Sequence, residues 1–281
     1  MRIVITGARG QLGRELTEVF GASSHHEVMA LGREQLDLGE RDSVLGAITT
    51  IAPDAVVHAG AWTAVDACEG DADRALRINA LGTRHVVDGA RRVGARVLYV
   101  STDYVFDGTL DRPYDEWDAT NPQSVYGRSK LGGEHELGPD DTIVRTSWVF
   151  GRYGANMVKT ILRLAESHNE LSFVSDQHGK PTCAADLAEA IYRLVVGRLP
   201  GLFHVTNQGP TTWFDFARSV LLASGQDPER VQPISTAELD PPRPAPRPQN
   251  SVLDNAALRL QGLAELPHHQ EAVERVVKEL L

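Results

Sequence analysis

Arg2-Ile3-Val4-Ile5-Thr6 runs directly into Gly7-Ala8-Arg9-Gly10-Gln11-Leu12-Gly13. A short β-branched run is followed by three glycines at GxxGxxG spacing, then by Gln11–Phe20 with the apolar period of a helix. This order predicts strand, tight turn, helix. Gly7 permits the turn, Gly10 keeps a Cβ out of the way of a pyrophosphate, and Gly13 lets the helix lie close to the sheet. The helix N-terminus then offers unpaired N–H groups and positive dipole to an anion. Alone, a glycine triplet is a turn signal. Between a first strand and a helix it points to dinucleotide binding.

The alternation continues outward. Strands are expected at Glu27–Leu31, Ala55–His58, Arg96–Ser101 and Thr142–Thr146. Helices are expected at Arg41–Ile51, stopped by Pro53, at Ala72–Val93, closed by Gly94, and at Val125–Glu136, stopped by Gly138-Pro139. The strands lack a two-residue alternation, so both of their faces should be covered. That predicts an α/β fold, a Rossmann-like doubly wound parallel sheet with right-handed crossovers, over residues 1–146. Beyond it, helices are expected at Asn156–Glu166, Ala184–Val196, Trp213–Ala223 and Glu271–Leu281, and strands at Leu171–Val174 and Leu202–Val205. The proline-dense Asp240–Pro248 excludes a regular element. Residues 147–281 are read as a smaller, mainly substrate-binding lobe, with 183–197 packing back on the first domain.

A chain of 281 residues has room for both units. Its formal charge of −10 argues against nucleic acid as a partner. No apolar run approaches the ~20 residues of a membrane span, and the apolar N-terminal stretch is too short for a signal peptide. Two cysteines, Cys68 and Cys183, suggest neither a disulfide framework nor a zinc site. A cytoplasmic protein is the default expectation.

Arg33, just past the second strand, can pair with a 2′-phosphate and so favours NADPH, although a solvated surface arginine is an equal reading. Asp37 is placed at the adenine edge, which leaves NADH open. Ala59-Gly60-Ala61 after the third strand lets a cofactor lie close to the backbone. The sharpest chemistry is Ser101-Thr102-Asp103 at a strand end, with Tyr126 and Lys130 four apart on a helix, hence on one face. A phenol of pKa about 10 is a poor acid–base at neutral pH, and a neighbouring ammonium would lower that value. Tyr126 would then give its proton to the alkoxide that forms as a hydride arrives. Lys130 could also hold the nicotinamide ribose, and Thr102 the substrate carbonyl. YxxxK alone is common by chance. With the glycine loop and the Ser-Thr strand end it reads as a reductase triad.

These residues resemble the extended short-chain dehydrogenase/reductase superfamily, and within it the dTDP-4-dehydrorhamnose reductase family. The matching stretches are GARGQLG at Gly7–Gly13, TAVDACE at Thr63–Glu69, STDYVFDG at Ser101–Gly108, YGRSK at Tyr126–Lys130, RTSWVFG at Arg145–Gly151, DQHGKPT at Asp176–Thr182 and RPQNSVL at Arg247–Leu253. Together they span nearly the whole chain. The resemblance implies reduction of a dTDP-linked 4-keto-6-deoxysugar by NADPH or NADH, with Thr102, Tyr126 and Lys130 catalytic. It implies cofactor contacts from Gly10, Gln11, Leu12, Asp37, Leu38, Ala59, Gly60, Ala61 and Lys130. Thr102, Asp103 and Trp148 would meet the sugar, and Arg247 and Asn250 the nucleotide end. His58 stands where many relatives carry Asn, which bears on the packing beneath the nicotinamide. Some relatives are linked to Mg²⁺ at a homodimer contact. Glu15 and Glu189 are the candidate ligands here, though isolated surface glutamates are the plainer reading. Monomer and homodimer both stay open.

Other residues carry weaker signals. Asp103 is followed by Tyr104 rather than by the glutamate that dehydratases of this superfamily use, which favours plain reduction. Trp148 can stack on a sugar or sit in the core. Gln177, Lys180 and Pro181 lie in a segment that could close over substrate, Lys180 reading equally as a solvated loop residue. His204 reads as a satisfied core histidine. Rivals are a sister 4-ketoreductase of an antibiotic-sugar pathway, similar to dihydrostreptose synthase, and a non-catalytic NADP-binding subunit similar to the partner of methionine adenosyltransferase. The intact triad favours catalysis.

Overall fold

In the computed structural model, which describes residues 1–281, six parallel strands form one sheet. They are β1 (Arg2–Thr6), β2 (Glu27–Leu31), β3 (Ala55–His58), β4 (Arg96–Thr102), β5 (Thr142–Thr146) and β10 (Gly201–His204), in the order β10-β5-β4-β3-β1-β2. Ile3, Val4 and Ile5 are all fully buried, which is why β1 shows no alternation. Ile3 and Ile5 join Val57, Leu98 and Val144 beneath α1 (Gln11–Gly21) and α8 (Ala184–Val196). Val4 joins Val56 and Val97 beneath α2 (Arg41–Ile51) and α5 (Gly82–Val93). The sheet is thus covered on both faces, a Rossmann-like arrangement. Strand order reverses at β1, with β2 on one side and β3 on the other. In such sheets the ligand crevice lies at this switch point, at the carboxyl ends of the strands.

Segments beyond residue 146 help complete this unit. α8 packs on α1, and β10, covered by α10 (Ala256–Leu260), extends the sheet beside β5, one residue earlier than the expected Leu202–Val205. A second core forms under α7 (Met157–Ser167), α9 (Trp213–Ala223) and α11 (His269–Leu280), with Ile161, Phe216, Val220, Val273 and Val277 at its centre. Around it lie short pairs. The expected strand β7 (Leu171–Val174) pairs with β12 (Val231–Ile234), while β6 (Val149–Phe150) with β9 (Thr182–Cys183) and β8 (His178–Gly179) with β11 (Thr211–Thr212) are not revealed by the sequence pattern. Two-residue strands carry no readable period. Asp240–Pro248 forms neither helix nor strand. No helix is long and apolar enough to cross a membrane.

The expected helix Ala72–Val93 is three pieces: α4 (Ala72–Leu76), a π-helical turn at Arg77–Leu81, and α5. A short α3 (Val65–Gly70) precedes them. A π-turn inserts one residue without changing composition, so helical periodicity passes over it. It buries Asn79 at its centre. α6 runs from Val125 to Glu134, two residues shorter than the glycine-proline stop suggested.

Candidate active site

Gly7 adopts φ +66°, the left-handed turn foreseen for it, and an added Cβ there would stand 2.7 Å from Gly60 Cα. At Gly13 a Cβ would fall 2.2 Å from the Gly7 carbonyl oxygen, so only glycine lets α1 lie this close to the loop. α1 has no side-chain cap and no acidic residue in its first turn, which leaves its first N–H groups and its dipole available to an anion. Gln11 donates to the Val149 carbonyl at 3.0 Å, and its own oxygen is buried without a partner. Leu12 packs on the core below. These features fit a dinucleotide's phosphates.

Beyond the cradle a pocket is lined by Thr6, Gly7, Arg33, Leu36, Asp37, Leu38, Gly60, Ala61, Trp62, Arg74 and Ile78. It gathers Gly7, Arg33, Asp37, Leu38, Gly60 and Ala61 of the cofactor residues named from sequence and adds Trp62 and Arg74, whose guanidinium lies 4.4 Å over the Trp62 ring. Ala59 is half-buried at its edge. Arg33 is largely exposed and pairs with Asp37 at 3.2 Å, and the Gly39 N–H bond, helped by that pair, holds the Asp37 carboxyl below the usual range.

Thr102 ends β4, and Tyr126 and Lys130 lie on α6, whose N-terminus is capped by Ser124. Gly127 lets this helix touch the turn after β4, since a Cβ there would meet the Tyr104 carbonyl at 2.2 Å. The expected ion–phenol arrangement needs correcting. Lys130 is 2% exposed, donates to the Val100 carbonyl at 2.7 Å and lies 4.1 Å over the Tyr99 ring. The long lysine side chain ends against the β4 backbone. Burial raises the Tyr126 phenol well above its ordinary value, opposed by its hydrogen bond with Thr102. Burial lowers Lys130 to about 7, opposed by Glu134. The phenol is therefore a held proton rather than a near-phenolate.

A buried relay supports this arrangement, and the sequence reading missed it. Thr83 donates to the Asn79 carbonyl at 2.6 Å, so its oxygen must accept from His58 Nε2 at 3.2 Å. His58 Nδ1 then accepts from Thr6 at 2.7 Å, and Thr6 accepts from the Gly60 N–H at 3.1 Å. Asn79 clamps the Trp62 backbone from both sides, at 2.8 and 3.0 Å, and donates to Ser129, which donates to the Tyr126 carbonyl. One fixed chain of donors thus ties the pocket floor to α6. Burial holds His58 neutral, with a pKa of about 3. The available signal was a polar Asn79 on the inward face of a helix pattern.

On the other side, Asp103 is buried and accepts from Thr102 at 3.0 Å. Trp148 has φ +46°, a strained backbone for this residue, and stacks on Trp213 at 3.7 Å and 9°. It follows Thr146, the register partner of Thr102. Arg247 clamps Asp66 of α3 at 2.5 and 2.8 Å, so its fork is engaged within the protein. Asn250 is likewise occupied, donating to the Leu110 and Arg112 carbonyls and accepting from Val252 N–H. Lys180 and Gln177 are both buried, which corrects the solvated-loop reading of Lys180. His204 is buried, but its Nε2 has no partner. Glu15 is not on the surface. It is 2% exposed and paired with Arg152 at 3.1 Å. Glu189 is exposed. No group of three or more His, Cys, Asp or Glu residues converges as a metal site.

The family model described as RmlD substrate binding domain matches residues 1–281. The dTDP-4-dehydrorhamnose reductase of Streptomyces griseus is 42% identical, covering 97% of this chain and 91% of that protein. The dTDP-4-keto-6-deoxy-D-glucose reductase of Streptomyces niveus is 38% identical over 97% of this chain and 95% of its own length. The crystal structure of dTDP-4-dehydrorhamnose reductase from Bacillus anthracis in complex with NADP superposes with a TM-score of 0.94 at 38% identity, covering 99% of both chains.

Proposed function

From the premise that the chain belongs to the RmlD substrate binding domain family, we infer that it is an NADPH-dependent sugar-nucleotide 4-ketoreductase converting dTDP-4-dehydrorhamnose to dTDP-L-rhamnose. The observation that supports the chemistry is Thr102 at the carboxyl end of β4, hydrogen-bonded to Tyr126 from α6 with Lys130 one turn further on, in the same sheet that carries the glycine turn after β1. Bound NADPH supplies the hydride to C4. Gly10, Gln11 and Leu12 at the start of α1 receive its phosphates. Arg33, with Arg74 nearby, suits a 2′-phosphate.

Tyr126 then acts as the acid. Its buried phenol keeps its proton at neutral pH and gives it up only when the keto oxygen gains charge. Lys130 uses one of its three N–H bonds on Val100 and keeps two for the ribose and the developing phenolate. Thr102 orients the carbonyl. Asp103 and Trp148 border the sugar, and the lobe built on α7, α9 and α11 carries the nucleotide end. Arg247 serves that end through its hold on Asp66, which fixes the segment from Asp240 onward against α3.

Purified protein offered dTDP-4-keto-6-deoxysugars with NADPH and NADH in parallel tests this reading by loss of reduced-cofactor absorbance. Tyr126→Phe is expected to lose turnover and keep cofactor binding. Full activity in that variant removes Tyr126 from the reaction. The Streptomyces niveus relative favours a second reading, reduction of the D-configured 4-keto-6-deoxyglucose, and assays with both ketosugars separate the two.

A further inference from the structure

The Thr102 hydroxyl has one proton and two lone pairs. One lone pair accepts from the Tyr104 N–H at 3.2 Å, and the proton lies toward Asp103 Oδ1 at 3.0 Å. In that arrangement Thr102 has nothing to donate to a keto oxygen. The carboxyl that takes the proton is unusual. Asp103 is 1% exposed, its Oδ2 has no hydrogen-bond partner, and no lysine, arginine or histidine is paired with it. The groups facing it are hydroxyls, phenols and two backbone N–H groups: the Thr102 hydroxyl and Tyr104 phenol beside it in the chain, Tyr126 from α6, Ser251 from the C-terminal segment, and the N–H groups of Asp103 and Tyr104. Arg247 approaches only as far as Tyr104. A carboxylate shut in among neutral groups is a costly species.

We propose that Asp103 works as a protonated carboxyl that turns the Thr102 hydroxyl toward the substrate. The Asp103 O–H donates to Thr102 Oγ1 and takes the second lone pair from Tyr126, whose O–H turns to the C4 keto oxygen, and the Thr102 proton is released to that oxygen as well. This rests on the ketoreductase reading and makes Asp103 a positioning residue for it. No bond is made or broken at Asp103, and its proton stays in place through turnover. The electrostatics agree. Burial raises the Asp103 carboxyl to about 6, against the nearby Ser251 and Thr102 hydroxyls and the backbone N–H groups of Asp103 and Tyr104. Substrate and cofactor packed over it would exclude water and push it further the same way.

The test is kcat/KM for the ketosugar against pH, with cofactor saturating, in wild type and Asp103→Asn. Wild-type activity should fall through two ionisations, Asp103 near 6 and Lys130 near 7, reaching a slope of two per pH unit. The asparagine amide donates to Thr102 at every pH, so the variant should show a slope of one. The ratio of variant to wild type should then rise about tenfold per pH unit above the Asp103 midpoint. A variant that is slower at every pH with the slope of two intact overturns the proposal, because Asp103 would then act as a charged acceptor. A second measurement needs no turnover. The carboxylic-acid carbonyl band that Asp103→Asn removes from the infrared spectrum of the cofactor-bound enzyme should fade as pH rises through about 6. Absence of that band at acidic pH overturns the proposal too. If neither ketosugar turns over, the functional reading falls while the infrared titration still decides the state of Asp103.

Discussion

Arg145 holds Glu134 in a two-pronged ion pair, with bonds of 2.6 and 2.9 Å, one helical turn past Lys130. Both side chains are 5% exposed, and the Ser101 hydroxyl also donates to Glu134. Tyr126, Lys130 and Glu134 thus form one buried stripe along α6, and the carboxylate favours the lysine's charged form. Glu134→Ala would strand the Arg145 guanidinium in the interior. Removing one partner of a buried pair costs roughly 3–5 kcal/mol, which should appear as a large drop in urea midpoint. Glu134→Gln keeps the shape and removes the charge. Its activity should fall at lower pH than that of wild type, because Lys130 loses its proton more easily. An unshifted profile would disconnect Glu134 from Lys130.

Arg33 is exposed, so its worth should appear in binding rather than in folding. Its guanidinium lies at the pocket edge beside Asp37. A charge-assisted bond to a 2′-phosphate contributes about 1.5–3 kcal/mol. Arg33→Ala is therefore expected to raise KM for NADPH by about tenfold or more and leave KM for NADH nearly unchanged. Equal effects on both cofactors would return Arg33 to the surface-residue reading.

The parts legible in the sequence are those where one residue type is forced. Gly7 and Gly13 could be assigned because backbone stands where a side chain would be. The first-domain strands could be found because burial on both faces leaves continuous apolar runs. Asn79, His58 and Thr83 could not be joined, because their relay crosses a π-turn and three elements distant in the chain. The Tyr126–Lys130 spacing placed both on one face but said nothing of reach, so the lysine's bond to Val100 was invisible. The partner that Arg247 holds could not be read either, because Asp66 lies 181 positions earlier.

Trp148 and Gly179 make a sensitive contact. A Cβ at Gly179 would stand 2.5 Å from the Trp148 indole, which is already stacked on Trp213. Gly179→Ala must shift the indole. The expected outcome is a rise in KM for the ketosugar of several-fold or more, with the dissociation constant for NADPH unchanged. Trp213→Ala should act the same way by removing the stack, worth about 0.5–1.5 kcal/mol beyond area burial. Altered cofactor binding in either variant would place Trp148 away from the sugar.

The Asp66–Arg247 clamp joins α3 to the proline-dense segment, and the Arg247 side chain is 9% exposed. Asp66→Asn and Arg247→Ala should each raise KM for the ketosugar. The double variant should be little worse than either single one, since residues in contact couple by about 0.5–3 kcal/mol. Fully additive losses would mean that Arg247 meets the nucleotide itself and not through Asp66.

Acid should loosen the fold through its histidines. His58 and His204 are each buried and held to about 3 by burial. Unfolded, each titrates near 6.5. Between pH 6.5 and 3 the unfolded chain therefore binds more protons at these sites, and stability falls as pH falls, by about 1.4 kcal/mol per unit for each histidine. Asp103 has the opposite sign. Its folded value of about 6 lies above the ordinary 3.8, so from 3.8 to 6 the folded state binds more protons and gains stability on acidification. It cancels about one histidine in that window. His58→Asn can keep the relay, accepting from Thr6 and donating to Thr83, while losing the titration. The variant should hold a nearly constant urea midpoint from pH 6 to 4, whereas the wild type declines. A parallel decline in both would show that His58 takes up its proton without unfolding, and with it that the Thr6–His58–Thr83 chain can open in the folded protein.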